Sequence, residues 1–197
     1  MTLPQAIFCM IDFTTAVTDK DLMGIMELQK SNLPVHLTQE EMQREGFVTV
    51  VHRFDDLKQM NDIEQHVIAK DNGTVVAYLL AMTSKSKYAI PILVPMFNLF
   101  DEVDYKGKKV SGYHYIVVGQ VCVSKAYRGQ GILDKCYEAY KSKFGKDYDF
   151  AITEIATSNQ RSIHAHKRIG FEEIYRYVAP DKVEWSIVVW DWKTINN

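Results

Sequence analysis

Residues 121–133 combine the residue types that suit a phosphate-binding turn. They read Val-Cys-Val-Ser-Lys-Ala-Tyr-Arg-Gly-Gln-Gly-Ile-Leu, so an apolar strand leads through a basic turn into an amphipathic helix. The N-terminus of a helix offers unpaired N–H groups and a partial positive charge, which both favour a phosphate. Gly129 and Gly131 would let the backbone approach that phosphate closely, and Lys125 and Arg128 would place cations beside it. The segment therefore predicts a phosphate-bearing ligand.

The residues that follow the glycines exclude two specific phosphate-binding motifs. A Walker A loop requires Lys and then Ser or Thr after its last glycine, whereas Gly131 is followed by Ile132 and Leu133. A dinucleotide-binding fingerprint requires a third glycine or alanine where this sequence has Asp134, and it lies early in its fold. Neither motif fits this turn.

A carboxylate and a histidine further along the chain could move protons. Glu154 lies in the mostly apolar residues 149–155, where a carboxylate either pairs with a buried cation or accepts a proton. His166 lies in a helical pattern, where a lone histidine is more often a packing or surface residue. His164 is two positions away, on a different helical face, so the two histidines predict no metal site.

Both segments resemble the motifs of the GNAT superfamily of acetyl-CoA-dependent N-acetyltransferases. Motif A of that family, Q/R-x-x-G-x-G/A, is similar to Arg128-Gly129-Gln130-Gly131 after Val121-Cys122-Val123. Its leading Q/R position falls on Ala126, so Arg128 or Lys125 would have to replace one contact to the phosphate.

Motif B of the family is the second resemblance. It is similar to Glu154-Ile155-Ala156-Thr157-Ser158-Asn159, followed by Ser162, His166 and Gly170-Phe171. The two motifs occur in the family's order, and the resemblance covers residues 113–177. The resemblance implies an N-acetyltransferase that uses acetyl-CoA as co-substrate, within a single domain of residues 1–197.

The resemblance also implies a set of cofactor-binding residues. Backbone amides would hold the pyrophosphate of coenzyme A at Arg128, Gly129, Gln130, Gly131, Ile132 and Leu133. Backbone groups of Val121 and Val123 would pair with the pantetheine arm as with an added strand. A backbone N–H near Cys122 would stabilise the oxyanion, and Asn159 would contact the cofactor from the start of its helix.

The transfer itself requires proton movements. A lysine-like acceptor amine has a reference pKa of about 10.4 and must lose a proton before it attacks. The resemblance implies Glu154 as the base, and Gln120 or His114 could instead order a relaying water. It implies His166 as the acid that protonates the departing thiolate. Cys122 has no evident activating base, which favours direct transfer over an acyl-enzyme, and Cys136 is expected to pack in the core.

The elements that must position these residues follow from the periodicity of the chain. Helices are expected after Thr18, after Thr38 with its capping-box partner Glu41, near Asp55, after Gly131 and from Asn159. Strands are expected at residues 11–17, 47–51, 67–70, 74–82, 113–123, 149–155, 171–177 and 183–190. Gly119 predicts a bulge, and Asp101, Glu102 and Asp104 predict a solvated loop.

These elements predict an α/β fold with a GNAT-like, mixed and mostly antiparallel central sheet and helices on both faces. A splayed strand pair, opened by the bulge near Gly119, would hold the cofactor between residues 113–123 and 149–155. The acceptor would bind between the N-terminal helices and residues 89–112.

Composition limits the class of partner. The 197 residues are 47% hydrophobic with a net charge of −2, which argues against a nucleic acid or an anionic membrane held by bulk charge. No secretory signal or run of about 20 apolar residues is visible, so a soluble cytoplasmic protein is expected. The acceptor is expected to be a small-molecule or peptide amine, and Trp185, Trp190 and Trp192 to form core with a possible homodimer surface. A non-catalytic acyl-CoA-binding module is the alternative.

Overall fold

The computed structural model describes residues 11–87 and 90–193. Its helices are α1 (Asp19–Lys30), α2 (Gln39–Glu45), α3 (Phe54–Ile63), α4 (Val94–Glu102), α5 (Ile132–Phe144) and α6 (Gln160–Ile169). Its strands are β1 (Asp12–Thr15), β2 (Val67–Asp71), β3 (Thr74–Met82), β4 (Asp104–Tyr105), β5 (Lys108–Lys109), β6 (Tyr115–Val123), β7 (Phe150–Ala156), β8 (Glu172–Val178) and β9 (Glu184–Asp191).

Seven of these strands form one sheet in the order β1-β2-β3-β6-β7-β9-β8. All neighbours in it are antiparallel except β6 and β7, which are parallel. Buried side chains on one face pack against α1, α3 and α4, and those on the other face pack against α5. The predicted mixed sheet with helices on both faces is therefore confirmed.

Short-range signals place most of the helix ends. Thr18 and Thr38 each cap a helix through reciprocal bonds with an acidic residue three positions later, as a capping box requires. Gly46 ends α2 at a φ of 75°, which a residue with a side chain adopts only with strain. The Asn159 side chain accepts a hydrogen bond from the Ser162 N–H at the start of α6.

The strand predicted at residues 47–51 is wrong. This stretch belongs to an extended segment, residues 46–52, which we call the strap, and no strand of the described residues forms a ladder with it. Its backbone bonds go elsewhere: the Val48 N–H donates to the Asn32 carbonyl (3.1 Å), and the side chains of Gln120 and Asn159 donate to the strap carbonyls of Val50 (2.8 Å) and Phe47 (3.1 Å). The strap is therefore bonded to β6 and to the start of α6.

The solvated loop predicted for the acidic residues 101–104 is also wrong. Asp101 and Glu102 form the end of α4, and the Asp101 carboxylate accepts hydrogen bonds from Lys87 Nζ (3.0 Å) and the Tyr115 hydroxyl (3.3 Å). These long-range hydrogen bonds hold the Asp101 carboxylate within the fold, whereas a solvated loop would leave it in water. Asp104 is exposed, in the short hairpin of β4 and β5.

The central strand pair separates as predicted. β6 and β7 pair only from Tyr115 with Phe150 to Val117 with Ile152. Beyond that point β6 carries an extra residue relative to β3, because its register shifts between Val118 and Val121. This is the bulge expected near Gly119, where a Cβ would lie 2.5 Å from the Met82 sulfur. The two strands therefore diverge toward their C-terminal ends.

Candidate active site

A cavity of about 630 Å³ lies at the open end of the β6–β7 splay. The turn before α5, the first two turns of α6 and the beginning of the strap complete its walls. Nine of the residues expected to bind the cofactor line it: Val121, Cys122, Val123, Arg128, Gly129, Gly131, Ile132, Leu133 and Asn159. His166 also lines it, whereas Gln130 and Glu154 are not among its walls.

The turn before α5 presents its backbone to the cavity. Gly129 and Gly131 both have a φ of 74°, in the left-handed region, and a Cβ at either position would have nothing within 4 Å. Gly131 is also the N-cap residue of α5, so the N–H groups of the first helical turn are left without partners inside the helix. This is the geometry in which a helix terminus binds a phosphate.

The two cations of this turn are bound to α2. Lys125 Nζ lies 3.2 Å from Glu41, and the Arg128 guanidinium forms an ion pair with Glu45. Glu41 and Glu45 are one helical turn apart, so both acids face the turn. Arg128 also donates to Asn32 Oδ1 (2.6 Å) and to the Val123 carbonyl (2.9 Å).

These contacts change the expected role of the two side chains. Lys125 and Arg128 hold α2 against the turn in this structure, which leaves the backbone N–H groups as the principal donors to a phosphate. Sequence reasoning missed Glu41 and Glu45 as partners. The sequence feature that could have indicated this pairing is a matched spacing of charges. Two acids lie four residues apart on α2, and two cations lie three residues apart in the turn.

The edge of β6 that faces the cavity can be identified from its hydrogen bonds. The Ser124 N–H donates to the Val76 carbonyl of the neighbouring chain segment at 2.8 Å. Because bonding direction alternates along an antiparallel strand, Cys122 directs its N–H and C=O toward β3, and Val121 and Val123 direct theirs into the splay. Of the backbone N–H groups near Cys122, those of Val121 and Val123 therefore face the splay.

Glu154 lies on the face of β7 that carries Phe150 and Ile152, outside the cavity wall. Its Oε2 accepts a hydrogen bond from the Tyr177 hydroxyl at 2.7 Å. Burial raises the pKa of Glu154, and the bond from Tyr177 partly opposes that rise. A buried carboxylate with a raised pKa is a reasonable proton acceptor.

The two alternative water-ordering residues are placed differently. Gln120 is buried, its Oε1 accepting from Tyr78 (2.7 Å) and Gln29 (3.1 Å) while its Nε2 donates to the Val50 carbonyl of the strap. His114 precedes β6 at the opposite end of the splay, and its backbone N–H donates to Asp149 (3.0 Å). The suggestion that His114 orders a water beside Glu154 is therefore wrong.

His166 is only 3% exposed. Its Nδ1 lies 2.8 Å from the Ser162 carbonyl and its Nε2 lies 2.6 Å from the Tyr137 hydroxyl. The consistent arrangement is a neutral ring that donates from Nδ1 and accepts at Nε2. Burial lowers the pKa of His166 to about 4, so an imidazolium acid is absent at neutral pH. Tyr137, from α5, was missed because only the folded chain brings it to α6.

Residues 90–112, predicted to form one wall of the acceptor site, lie at the closed end of the splay and outside the cavity wall. Phe100 and Tyr105 pack against Tyr115 and Phe150, with ring centroids 6.5 Å and 5.3 Å apart respectively, at the closed end of the splay. The end of α2 and the beginning of the strap lie instead at the open end of the splay, where they line the cavity. The proline-interrupted apolar sequence of α4 is therefore core rather than binding surface, and Ala89 lies outside the described residues.

Comparison of the sequence with known families assigns residues 22–171 to the profile of the acetyltransferase (GNAT) family. The chain belongs to the GNAT acetyltransferase family. The match begins well upstream of residues 113–177, so α1, α2 and the strap belong to the GNAT domain. No protein of curated function matches the sequence.

Solved structures of GNAT proteins share this fold. Smu.2055 from Streptococcus mutans is 17% identical with a TM-score of 0.60, over 92% of this chain and 99% of that one. YncA from Salmonella typhimurium, a putative acetyltransferase solved with acetyl-CoA, is 12% identical with a TM-score of 0.60, over 95% and 96%. Arabidopsis thaliana Naa50, solved with a bisubstrate analogue, is 16% identical with a TM-score of 0.58, over 92% and 98%.

The two described cysteines of this GNAT domain are buried thiols. Cys122 is 6% exposed and Cys136 is fully buried. Burial raises the pKa of each to about 12, so neither is a thiolate at neutral pH. Cys136 packs in the α5 core as predicted.

Residues 11–87 and 90–193 contain no group of three or more His, Cys, Asp or Glu side chains arranged for a metal ion. No helix within those ranges has the length and apolar character to cross a membrane.

Proposed function

We propose that this GNAT protein transfers the acetyl group of acetyl-CoA directly to a primary amine of a small molecule or peptide. The observation that carries the proposal is the cavity at the open end of the splay, where left-handed glycines, a helix N-terminus and the unpaired edge of β6 meet. YncA with acetyl-CoA and Naa50 with a bisubstrate analogue are supporting parallels in fold.

In this proposal the cofactor is bound mostly by backbone. The N–H groups from Arg128 to Leu133 bind the pyrophosphate, and Gln130, exposed beside the cavity, contributes only its N–H. The pantetheine arm lies along Val121 and Val123 as an added strand. Because Arg128 occupies the Val123 carbonyl in this structure, pantetheine must displace that one hydrogen bond.

The chemical step would then use three groups. Glu154 accepts the proton of the acceptor ammonium, and the neutral amine attacks the thioester carbonyl. The oxygen that gains charge is stabilised by an N–H of Val121 or Val123. The tetrahedral intermediate breaks its carbon–sulfur bond, which yields the amide and a thiolate that takes a proton from water.

In this scheme His166 is a neutral packing residue, because its one ring proton is bound to the Ser162 carbonyl and its Nε2 accepts from Tyr137. His166→Tyr and His166→Phe should therefore turn over at similar rates, without the roughly 10²–10⁴-fold loss expected for removal of a general acid. Since the ring is neutral, the wild-type rate should show no alkaline limb near the reference histidine pKa of about 6.5. The rates are measured from pH 6 to 9, with acetyl-CoA binding checked in each variant. A rate for His166→Tyr well above that for His166→Phe, with binding intact in both, would instead give this position a proton-donating role.

A second candidate function is a non-catalytic acyl-CoA-binding module. It is favoured by the engaged His166 and by the position of Glu154 outside the cavity wall. The two functions are separated by measuring free-thiol release from acetyl-CoA with a panel of primary amines and peptides, and cofactor binding independently by calorimetry. We expect binding together with amine-dependent release. Binding without release for any amine would favour the module.

We also propose that the protein acts in the cytoplasm and that the aromatic surface at its C-terminal strands supports a homodimer. The thiol state of the described Cys122 and Cys136 supports a reducing compartment. Sedimentation of the purified protein would show whether it is a dimer.

A further inference from the structure

The hydrogen bond between Glu154 and Tyr177 spans an intervening strand. Glu154 lies opposite Ile187 of β9, and Tyr177 of β8 lies opposite Trp185 of the same strand. Residues directly opposite in a sheet point to the same face, so all four side chains lie on the α1 side of the sheet. The phenol reaches over β9 to place its hydroxyl 2.7 Å from Oε2.

Tyr177 is the only hydrogen-bond partner of the Glu154 side chain among the described residues. Glu173 of β8 does not compete for the Tyr177 hydroxyl, because it is bound to Arg176 and to Ser186. Ser186 alternates with Ile187 along β9 and therefore lies on the opposite face of the sheet. Other titratable groups on this face of the sheet are Glu172 and Tyr175 of β8, and Tyr78 and Cys122 across the splay, while Asp181 lies in the β8–β9 turn.

We propose that Tyr177 is a positioning residue for the proton acceptor: its hydroxyl holds one oxygen of the Glu154 carboxylate across β9, so that the other oxygen faces the acceptor amine. The proposal rests on the proposed function, in which Glu154 is the base. It assigns to β8 a part in the reaction, although β8 is an edge strand that β9 separates from β7 and the splay.

The same bond has an electrostatic consequence. Desolvation favours the protonated carboxyl and raises the pKa of Glu154, whereas a donated hydrogen bond favours the carboxylate and lowers it. A base must be ionised to accept a proton, so it loses activity as the pH falls through its pKa. Removing the Tyr177 hydroxyl should therefore raise the pKa of Glu154 and move this acidic limb to higher pH.

The test is a titration of the Glu154 carboxyl carbon by NMR in protein labelled with carbon-13 at glutamate, without any ligand. The signal is assigned by its loss in Glu154→Gln. In Tyr177→Phe we expect the midpoint to rise by about one pH unit, the scale of one hydrogen bond to a charged group. Tyr175→Phe removes the same hydroxyl from the same face of the same strand, at a side chain that is 45% exposed, and should leave the midpoint unchanged.

An unchanged midpoint in a folded Tyr177→Phe protein would overturn the proposal, as would an equal shift in Tyr175→Phe. Turnover with acetyl-CoA and the amine panel is measured alongside, and the acidic limb of kcat should move with the midpoint. If Glu154→Gln keeps full turnover while Tyr177→Phe still shifts the titration midpoint of Glu154, then Glu154 is not the base. In that case the hydrogen bond between Tyr177 and Glu154 is nevertheless confirmed. The two failures are thus distinguishable.

Discussion

Replacing Gly131 with valine should weaken coenzyme A binding on the order of 100-fold or more, the effect of losing two charge-assisted hydrogen bonds of ~1.5 kcal/mol each. Gly131 has a φ of 74° and caps α5. A β-branched residue is strained there, and its side chain would project into the open space that the phosphate must enter. Calorimetry with coenzyme A measures the loss.

The strain of that substitution needs a matched control. Gly107 has a φ of 86° and likewise has nothing within 4 Å of an added Cβ, but it lies in the β4–β5 turn, outside the cavity wall. Gly107→Val should therefore lose similar stability and bind coenzyme A as the wild type does. If a folded Gly131→Val protein binds coenzyme A with wild-type affinity, the pyrophosphate does not bind at this turn.

Replacing Glu154 with glutamine should lower kcat by roughly 10²–10⁴-fold, the range for a positioned proton acceptor. Glutamine is nearly isosteric and can still accept the hydrogen bond from Tyr177, so the fold should persist and acetyl-CoA affinity should change little. Steady-state rates with the amine panel, together with calorimetry, separate the two quantities.

Glu173 supplies the comparison for that variant. Glu173 lies on the edge strand β8, and its side chain is on the face of the sheet opposite to that of Glu154. It is bound to Arg176 and Ser186. Glu173→Gln should leave kcat unchanged and alter only the melting temperature. If Glu154→Gln instead turns over normally and melts earlier, Glu154 is a structural partner of Tyr177 and the base lies elsewhere.

The elements of this fold that could be predicted from the sequence are those set by local chemistry. Thr18 and Thr38 begin helices because their hydroxyls bond backbone groups three residues away. Gly119 was sufficient to predict the bulge, since a glycine inside a strand is typical of one. The bulge in turn accounts for the splay beside which the cavity lies.

The parts that could not be predicted depend on contacts between distant residues. The strap reads as a strand because its residues are apolar and extended, and only Asn32, Gln120 and Asn159 show that its backbone is bonded without a neighbouring strand. The partners of Arg128 and His166 are 83 and 29 residues away respectively. No periodicity within one segment contains that information.

A crystal structure of the protein with coenzyme A tests the central claim most directly. The account predicts the pyrophosphate on the N–H groups of residues 129–133 and the pantetheine arm along Val121 and Val123, inside the β6–β7 splay. It also predicts that the Arg128 side chain no longer bonds the Val123 carbonyl, and that the sulfur lies at the end of the cavity nearest Glu154. Coenzyme A bound outside the splay, or an empty splay in a complex shown to be saturated, would contradict the account.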